Sequence, residues 1–326
     1  MMRAKIAAVA RAVPERVLTN SELEKMVDTT DEWIVERTGI RQRHILAEGL
    51  CTSDLAAEAG RRACKLAGVE PSELDAIMVG TVTPDMAMPA TATWVQAKLG
   101  AGHCPAFDLS AACAGFIYGL TLGDALIRIG SAKRILVIGV EILSRFLDWK
   151  DRGTCVLFGD GAGAAVLVPG DGPSGLLGCE IHSDGAQACH LTIPGGGTVN
   201  PTNGDTVEKK LHYVHMNGRQ IFSLAVRNMS AACTTVLERC GYAAGDVTTV
   251  FAHQANLRIL DGVAQRVGLP SERFFNNIER YGNTSSASIP IAMSEAFEQG
   301  RIQQGDLLLL TALGAGVSWG AALVRW

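Results

Sequence analysis

The chain has 326 residues, of which 48% are apolar and 19% are charged, and its formal net charge is −4. A chain of this length buries a large core and commonly forms two domains or one large two-part domain. The small negative charge argues against the concentrated basic face of a nucleic-acid-binding protein, so small molecules or proteins are the expected partners.

Nine cysteines are scattered along the sequence without a single C-x-x-C pair. This pattern indicates neither a disulfide framework nor a zinc site, and it predicts a reducing compartment. The five-residue apolar run near the amino terminus is too short for a signal-peptide core, and no later apolar stretch is long enough to span a membrane. We therefore expect a cytosolic protein with no membrane segment.

Short apolar segments alternate with helical segments in the same order in both halves of the chain. The first half has strands predicted at 76–80 and 134–138, with a helix opening at 112–113 between them. The second half repeats this order with strands at 249–253 and 307–310 and a helix after Asn283, at an offset of about 170 residues. Such alternation is typical of βαβ units around buried sheets.

The repeated order predicts two similar halves, 1–172 and 173–326, that face each other in a layered α/β fold. The alternative is a coincidence of two ordinary βαβ stretches. The stretch from 169 to 217 is rich in Gly, Asp, Thr and Asn, and we expect it to be irregular or hairpin-like and to cross between the halves.

Cys113 stands where a short predicted strand gives way to a nearly all-apolar helix. The free N–H groups and the positive dipole end of a helix lower the pKa of a thiol and favour the thiolate. Small neighbours between Ser110 and Gly115 leave room for a substrate to approach. The alternative is a small core residue, which is the usual role of a lone cysteine among alanines and glycines.

His253 ends the predicted strand 249–253, and Asn256 is placed to cap the helix that follows. Ligands bind at the carboxyl ends of strands in open α/β sheets. Asn283 lies in a Gly-Asn turn before another helix. Each residue alone is explained by local structure, but together with Cys113 they occupy related positions in the two halves, which predicts that their side chains converge.

Six motifs follow one another along the chain, and we define them by their first and last residues. They are Thr29–Ile40, Ala111–Phe116, Phe158–Ala164, His253–Arg258, Gly282–Ser285 and Gly314–Ala321. In this order they resemble the β-ketoacyl-acyl-carrier-protein synthase III family of the thiolase superfamily, and the resemblance covers essentially the whole chain. It implies a thiolase-like five-layered α/β fold (αβαβα), built from two pseudo-duplicated halves, and a homodimer.

The resemblance also implies a two-stage acyltransferase reaction. Cys113 first accepts the acyl group of an acyl-coenzyme A, and the backbone N–H groups of Cys113 and Ala315 hold the tetrahedral oxyanion. Malonyl-acyl carrier protein then loses CO₂, and His253 and Asn283 stabilise the enolate that attacks the acyl-cysteine. The product, a 3-oxoacyl carrier protein, starts type II fatty-acid synthesis. No metal and no cofactor is implied beyond the coenzyme A thioester itself.

Contacts to coenzyme A follow partly from helix geometry. Thr29-x-x-Glu32 has the pattern of a capping box, which places Trp33 and Arg37 on one helix face, where indole and guanidinium can hold a flat adenine. An Arg that rests on a Trp for packing alone is the alternative. The resemblance adds further residues of the pantetheine and nucleotide channel, namely Thr29, Arg152, Gly218, Phe222 and Asn256.

Carrier-protein docking and primer choice depend on the resemblance alone. Arg258 is implied to dock the acidic carrier protein, although Ser223 and Gln265 stand where relatives carry lysine. Met88 and Leu313 stand where acetyl-preferring members often have phenylalanine, which predicts tolerance of primers longer than acetyl. Two alternatives stay open: a related condensing enzyme of secondary metabolism, and a non-catalytic partner of such enzymes.

Overall fold

A computed structural model describes residues 2–170 and 172–326 of the chain. In chain order the strands are β1 Arg3–Ala12, β2 Arg16–Thr19, β3 Gln42–Ile45, β4 Ala76–Gly80, β5 Ala106–Leu109, β6 Ile135–Ile142, β7 Asp160–Gly170, β8 Gly175–Ser183, β9 Leu191–Thr192, β10 His215–Met216, β11 Thr249–Ala252, β12 Leu307–Gly314 and β13 Ser318–Arg325. The α-helices are α1 Asn20–Leu23, α2 Asp31–Thr38, α3 Thr52–Ala67, α4 Thr91–Leu99, α5 Gly115–Arg128, α6 Gly204–Glu208, α7 Gly218–Cys240, α8 Leu257–Val267, α9 Ile278–Tyr281 and α10 Ser288–Glu298.

Two buried sheets organise these elements. The first has the strand order β1-β7-β6-β4-β5 and the second the order β11-β12-β13-β8. In the first sheet the neighbouring strands β4 and β6 are parallel, and in the second sheet the terminal strand β11 is parallel to β12. Every residue of β6 and of β12 is buried, which explains why these strands are largely apolar and show no polar alternation.

Helices cover both sheets and also separate them. Helices α3 and α4 pack on the outer side of the first sheet, and α7 and α8 lie outside the second sheet. Helices α5 and α10 lie between the two, because α5 contacts strands of both sheets and α10 contacts β1, β7 and β11. The resulting layers follow the order αβαβα, so the predicted five-layered α/β fold is confirmed.

The repeated order of elements is also present, as β4, α5 and β6 in the first sheet and β11, α10 and β12 in the second. The prediction for 169–217 is wrong in part. This stretch contains β8, a nine-residue strand that pairs antiparallel with β13 at the edge of the second sheet. Its composition concealed the strand, since β8 itself carries two glycines and has partly exposed positions. The division at 172/173 stays a prediction.

Within residues 2–170 and 172–326, no helix combines the length and the apolar character needed to cross a bilayer.

Candidate active site

Cys113 lies in a single 3-10 turn, Ala112–Ala114, that connects β5 to α5. The α-helix itself begins two residues later, at Gly115. Ala112 has a φ of 45°, a left-handed conformation that is strained for a residue with a Cβ and that is concentrated at functional sites. The turn therefore holds the sulfur in a fixed position at the amino-terminal end of α5.

The structure does not support the expected lowering of the Cys113 pKa by the helix end. Burial raises the pKa of the Cys113 thiol to about 12, and nearby Glu141 adds to this effect, while a hydrogen bond from Ser285 opposes it. The positive end of the helix is outweighed because a buried thiolate loses nearly all its hydration. Cys113 thus rests as a neutral thiol and must lose its proton during the reaction.

His253 follows the last residue of β11, and its backbone N–H donates to the Thr311 carbonyl at 2.8 Å. The imidazole is buried, and burial lowers its pKa to about 3, so the ring is neutral near pH 7. Its Nδ1 lies 2.7 Å from the Ser288 hydroxyl. That hydroxyl oxygen also accepts from the Gln254 N–H at 3.4 Å, and we assign its hydrogen to Nδ1, which leaves the ring proton on Nε2.

The backbone of Asn283 is held by two hydrogen bonds, one at its N–H and one at its carbonyl. Its N–H donates to the Leu157 carbonyl at 2.9 Å, and its carbonyl accepts from the Gly159 N–H at 3.0 Å. The side-chain oxygen accepts from the Ser285 N–H at 2.9 Å. No protein group within residues 2–170 and 172–326 accepts from the Asn283 amide nitrogen, so this NH₂ group is free to donate to a ligand.

The structure brings Cys113, His253 and Asn283 to the wall of one cavity of about 130 Å³, which Leu313 also lines. Cys113 in addition lines a larger, mostly apolar cavity of about 380 Å³, together with Ala315. The sulfur therefore lies where two cavities meet. Sequence reasoning did not identify the residues that enclose the larger one, among them Val82, Leu143, Phe158, Leu191, Ile193 and Val214.

Three of the residues expected to contact coenzyme A, namely Gly218, Phe222 and Asn256, line the smaller cavity. Asn256 caps α8 as predicted, since its side-chain oxygen accepts from the Arg258 N–H at 2.9 Å. Its amide group donates to the Arg37 carbonyl at 3.0 Å and so connects α8 to α2. The cavity wall is thereby connected to the helix that carries Trp33.

Two guanidinium groups flank the Trp33 indole, Arg37 at 4.9 Å and Arg152 at 5.5 Å from the ring centroid. The expected capping box is wrong, because the N-cap of α2 is Thr30, whose hydroxyl accepts from the Trp33 N–H at 3.1 Å. Thr29 precedes the cap, and its buried hydroxyl has no hydrogen-bond partner within the described part of the chain. A buried hydroxyl without a partner is costly, which favours a ligand contact for Thr29.

The structure separates the two residues expected around the primer. Leu313 is 4% exposed and lines the smaller cavity. Met88 is 84% exposed and lines neither cavity, so it does not lie at the primer site of its own chain. It follows β4 in the 81–90 segment, of which residues 86–89 are exposed.

The expected carrier-protein surface lies on α7 and α8, which pack against each other. Arg258 and Arg266 are exposed there, and so are Ser223 and Gln265, the two positions where a lysine was expected. The surface is therefore accessible but carries fewer cations than the resemblance implies.

Two family models match the chain, 3-oxoacyl-[acyl-carrier-protein] synthase III over residues 107–185 and the carboxyl-terminal part of the same family over residues 237–326. A protein of Symbiobacterium thermophilum named beta-ketoacyl-[acyl-carrier-protein] synthase III is 52% identical over 98% of this chain and 97% of its own. One of Roseiflexus sp. with the same name is 49% identical over 97% of this chain and 96% of its own.

Solved structures agree with these relatives. The crystal structure of 3-oxoacyl-[acyl-carrier-protein] synthase III from Aquifex aeolicus matches with a TM-score of 0.92 and 44% identity, over 99% of this chain and all of that one. The priming beta-ketosynthase of the R1128 polyketide biosynthetic pathway matches with a TM-score of 0.89 and 34% identity, over 98% of this chain and 96% of that one. The similarity is thus lower for the polyketide protein than for the synthase from Aquifex.

Proposed function

Because the chain belongs to the 3-oxoacyl-[acyl-carrier-protein] synthase III family, we propose that it condenses an acyl-coenzyme A primer with malonyl-acyl carrier protein. The products are 3-oxoacyl carrier protein, CO₂ and free coenzyme A, which initiates type II fatty-acid synthesis. The observation that carries this proposal is the meeting of Cys113, His253 and Asn283 at one cavity wall, beside a second apolar cavity.

In the first stage the sulfur of Cys113 forms a bond to the primer carbonyl and coenzyme A leaves. The N–H groups of Cys113 and Ala315 are proposed to hold the tetrahedral oxyanion, and both residues line the larger cavity. The pantetheine arm occupies the smaller cavity beside Gly218, Phe222 and Asn256. The adenine stacks at Trp33 with Arg37 and Arg152, where Thr29 supplies a hydroxyl.

In the second stage malonyl carrier protein loses CO₂ and its methylene carbon attacks the acyl-cysteine. The Nε2–H of His253 and the amide of Asn283 donate to the thioester oxygen, where negative charge accumulates as CO₂ leaves. Both donors are neutral, and neutrality suits the step because donors aimed at the growing oxyanion act more strongly in the transition state than in the ground state. No metal and no cofactor takes part in this proposal.

Two protein partners belong to the proposal. Acyl carrier protein docks on the exposed surface of α7 and α8 around Arg258. A second copy of the chain covers an apolar surface beside the free edge of the first sheet, where Met86, Met88 and Trp94 are all at least 40% exposed. That edge is β5, the terminal strand of its sheet, and free edges favour pairing with another chain.

The roles of the three residues are tested by separating the two half-reactions. Cys113→Ser should abolish the acyl-enzyme that intact mass spectrometry detects after exposure to acyl-coenzyme A. His253→Ala and Asn283→Ala should still be acylated but should release at least about a hundredfold less CO₂ from malonyl carrier protein. Cys189→Ser is the control, because Cys189 is an exposed thiol and open to non-specific acylation. Normal condensation by the Cys113→Ser variant would contradict the proposal.

The primer range is tested with a panel of acyl-coenzyme A thioesters. A cavity of about 380 Å³ falls in the usual range of small-ligand sites, roughly 300 to 1,000 Å³, so we expect primers longer than acetyl to be used. Val214→Phe should narrow this cavity and shift the preference towards acetyl. A wild-type advantage for acetyl of a hundredfold in kcat/KM over primers of about four to eight carbons, equivalent to about 2.7 kcal/mol, would contradict the prediction.

A further inference from the structure

Arg43 is a buried cation for which the reaction described above has no role. It lies in β3 and is 0% exposed. Within the described part of the chain, its guanidinium donates to the carbonyls of Leu18 and Val156 and to the amide oxygen of Asn20, and none of these acceptors is a carboxylate. Its Nε has no hydrogen-bond partner there. A buried cation without a counter-charge is costly, so its position needs an explanation.

The guanidinium of Arg43 connects segments that are far apart in the sequence. Its Nη2 donates to the Val156 carbonyl, 113 positions away, at 2.7 Å. Its Nη1 donates to Oδ1 of Asn20 at 2.8 Å. Asn20 is itself fixed, because its amide nitrogen donates to the Ile40 carbonyl at 2.8 Å and to Oδ1 of Asp31 at 2.7 Å. The guanidinium is therefore held on one side and holds the Val156 backbone on the other.

The segment 156–159 in turn holds the backbone of Asn283. The Leu157 carbonyl accepts from the Asn283 N–H at 2.9 Å, and the Gly159 N–H donates to the Asn283 carbonyl at 3.0 Å, so that the two backbones form a parallel bridge. Val156, which the guanidinium holds, directly precedes Leu157. The position of the Asn283 backbone at the cavity wall therefore depends on where this segment lies.

The Cβ of Arg43 packs against the same junction. A Cβ on Gly159 would lie 2.9 Å from the Arg43 Cβ, and a Cβ on Gly282 would lie 3.3 Å from it. Gly282 directly precedes Asn283 and has a left-handed φ of 65°, a conformation that favours glycine. Arg43 thus contacts the chain on both sides of the bridge to Asn283, with its Cβ as well as with its guanidinium.

We propose that Arg43 is a positioning residue for decarboxylation, which holds the segment 156–159 and thereby places the Asn283 amide for its hydrogen bond to the thioester oxygen of malonyl carrier protein. This inference rests on the proposed function, in which Asn283 acts only in the second stage. Cys113 belongs to a different turn, Ala112–Ala114. The effect of Arg43 should therefore fall on decarboxylation and not on acylation.

Two contacts together define the position of the Asn283 amide. The hydrogen bond from the Ser285 N–H to its side-chain oxygen, at 2.9 Å, fixes the rotation of the side chain. The segment held by Arg43 fixes the backbone from which that side chain extends. A catalytic group that moves by about 1 Å can lose about a hundredfold in rate, so a small shift of this segment is sufficient to impair the second stage.

The substitution Arg43→Met, which removes the donors but keeps a long side chain, tests this role. Acylation of Cys113, followed by intact mass, should be unchanged. The kcat for CO₂ release from malonyl carrier protein should fall at least about tenfold with little change in KM, because a misplaced donor lowers transition-state stabilisation. Arg43→Gln is the second variant and should show the same difference between the half-reactions. Failure of both variants to fold would overturn the proposal, since that result indicates a purely structural role.

A double-mutant cycle separates positioning from a general loss of structure. In the Asn283→Ala background, Arg43→Met should cause no further loss of CO₂ release, because a residue that acts through the Asn283 amide has nothing to position once the amide is absent. A further loss in the double variant would overturn the proposal. Equal slowing of acylation and decarboxylation by Arg43→Met, or an unchanged rate of CO₂ release, would overturn it as well.

Arg273→Met is the matched control. Arg273 also donates through its guanidinium to two backbone carbonyls, those of Gly245 and Val247, but it lines neither cavity. Its variant should leave both half-reactions unchanged, and a loss of CO₂ release equal to that of Arg43→Met would contradict the specific role of Arg43. Wild-type CO₂ release by Asn283→Ala alone would instead contradict the proposed function itself.

Discussion

Burial disfavours the charged form of both Cys113 and His253. It raises the pKa of Cys113 to about 12 and lowers that of His253 to about 3, so each is held in its neutral form near pH 7. A thiol and imidazole therefore do not form a resting ion pair here, in contrast to sites where a protonated histidine stabilises a thiolate. The neutral imidazole is suited to donate a hydrogen bond.

The neutral His253 makes a prediction about stability. Its pKa is 6.5 when unfolded and about 3 when folded, so below pH 6.5 the unfolded chain takes up a proton that the folded chain does not. The free energy of unfolding should therefore fall by about 2 kcal/mol from this group between pH 6.5 and pH 5. His253→Gln should remove that part of the acid sensitivity in denaturant titrations. His215→Gln is the control and should retain it, because His215 is exposed. Equal pH slopes for wild type and His253→Gln would contradict the prediction.

Among the elements, the turns that connect strands to helices decide the geometry of the site. The turn after β12 approaches the Cys113 turn so closely that a Cβ on Gly314 would lie 2.5 Å from the Cys113 nitrogen and 2.9 Å from the Ala111 oxygen. Real Cβ atoms do not approach backbone atoms this closely. Only glycine therefore permits this close approach, which brings Ala315, whose N–H is proposed to bind the oxyanion, beside Cys113.

Gly314→Ala should accordingly displace the Cys113 turn. We expect a loss of about 1 to 3 kcal/mol in the free energy of unfolding, as for other overpacked sites, and at least a tenfold slower acylation of Cys113 by acyl-coenzyme A. The control is Gly245→Ala, because Gly245 is exposed and no atom lies within 4 Å of a Cβ there. Acylation of Gly314→Ala at the wild-type rate would show that the contact is not needed.

The sequence predicts central elements better than peripheral ones. Strands β4 and β12 are recognisable because a strand covered on both faces becomes a continuous apolar run, and the terminal strand β11 is recognisable because three of its four residues are buried. The edge strand β8 is missed, since partial exposure and glycines remove that signal. The 3-10 turn at Cys113 is read as helix, because nothing in a run of small residues distinguishes the two.

Residues of the site were likewise predictable where a local motif marks them and missed where only long-range contacts bring them to the site. Cys113, His253 and Asn283 are found because each belongs to a local motif at a strand-to-helix transition, where ligands bind in α/β folds. Glu141 and Val214 reach the site through contacts between distant segments, so neither has a local signature. Ser285 lies inside a recognised motif, yet its hydroxyl donates to a carboxylate 144 positions away. A contact between residues so far apart in the sequence can be recognised only in the three-dimensional structure.

At the scale of the whole molecule, the two sheets divide the work of the reaction. The first half supplies Cys113, the proposed nucleophile, after β5, and the second half supplies the proposed hydrogen-bond donors His253, after β11, and Asn283, before α10. Helices α5 and α10 lie between the sheets and so fix the position of one half against the other. The site therefore depends on the central layer, although no catalytic side chain lies in the interior of either helix.

The exposed segment around Met88 gives the last prediction, on the oligomeric state. Met88 is 84% exposed beside the free edge of β5, and an exposed apolar surface of this kind favours association. Met88→Glu should raise the dimer dissociation constant at least tenfold in analytical ultracentrifugation, equivalent to about 1.4 kcal/mol, since a charge would be buried without a partner. Val199→Glu is the control, because Val199 is 87% exposed in a separate loop and should leave the constant unchanged. Equal sedimentation of both variants, or a wild type that sediments as a monomer at all concentrations, would contradict this assignment of the dimer surface.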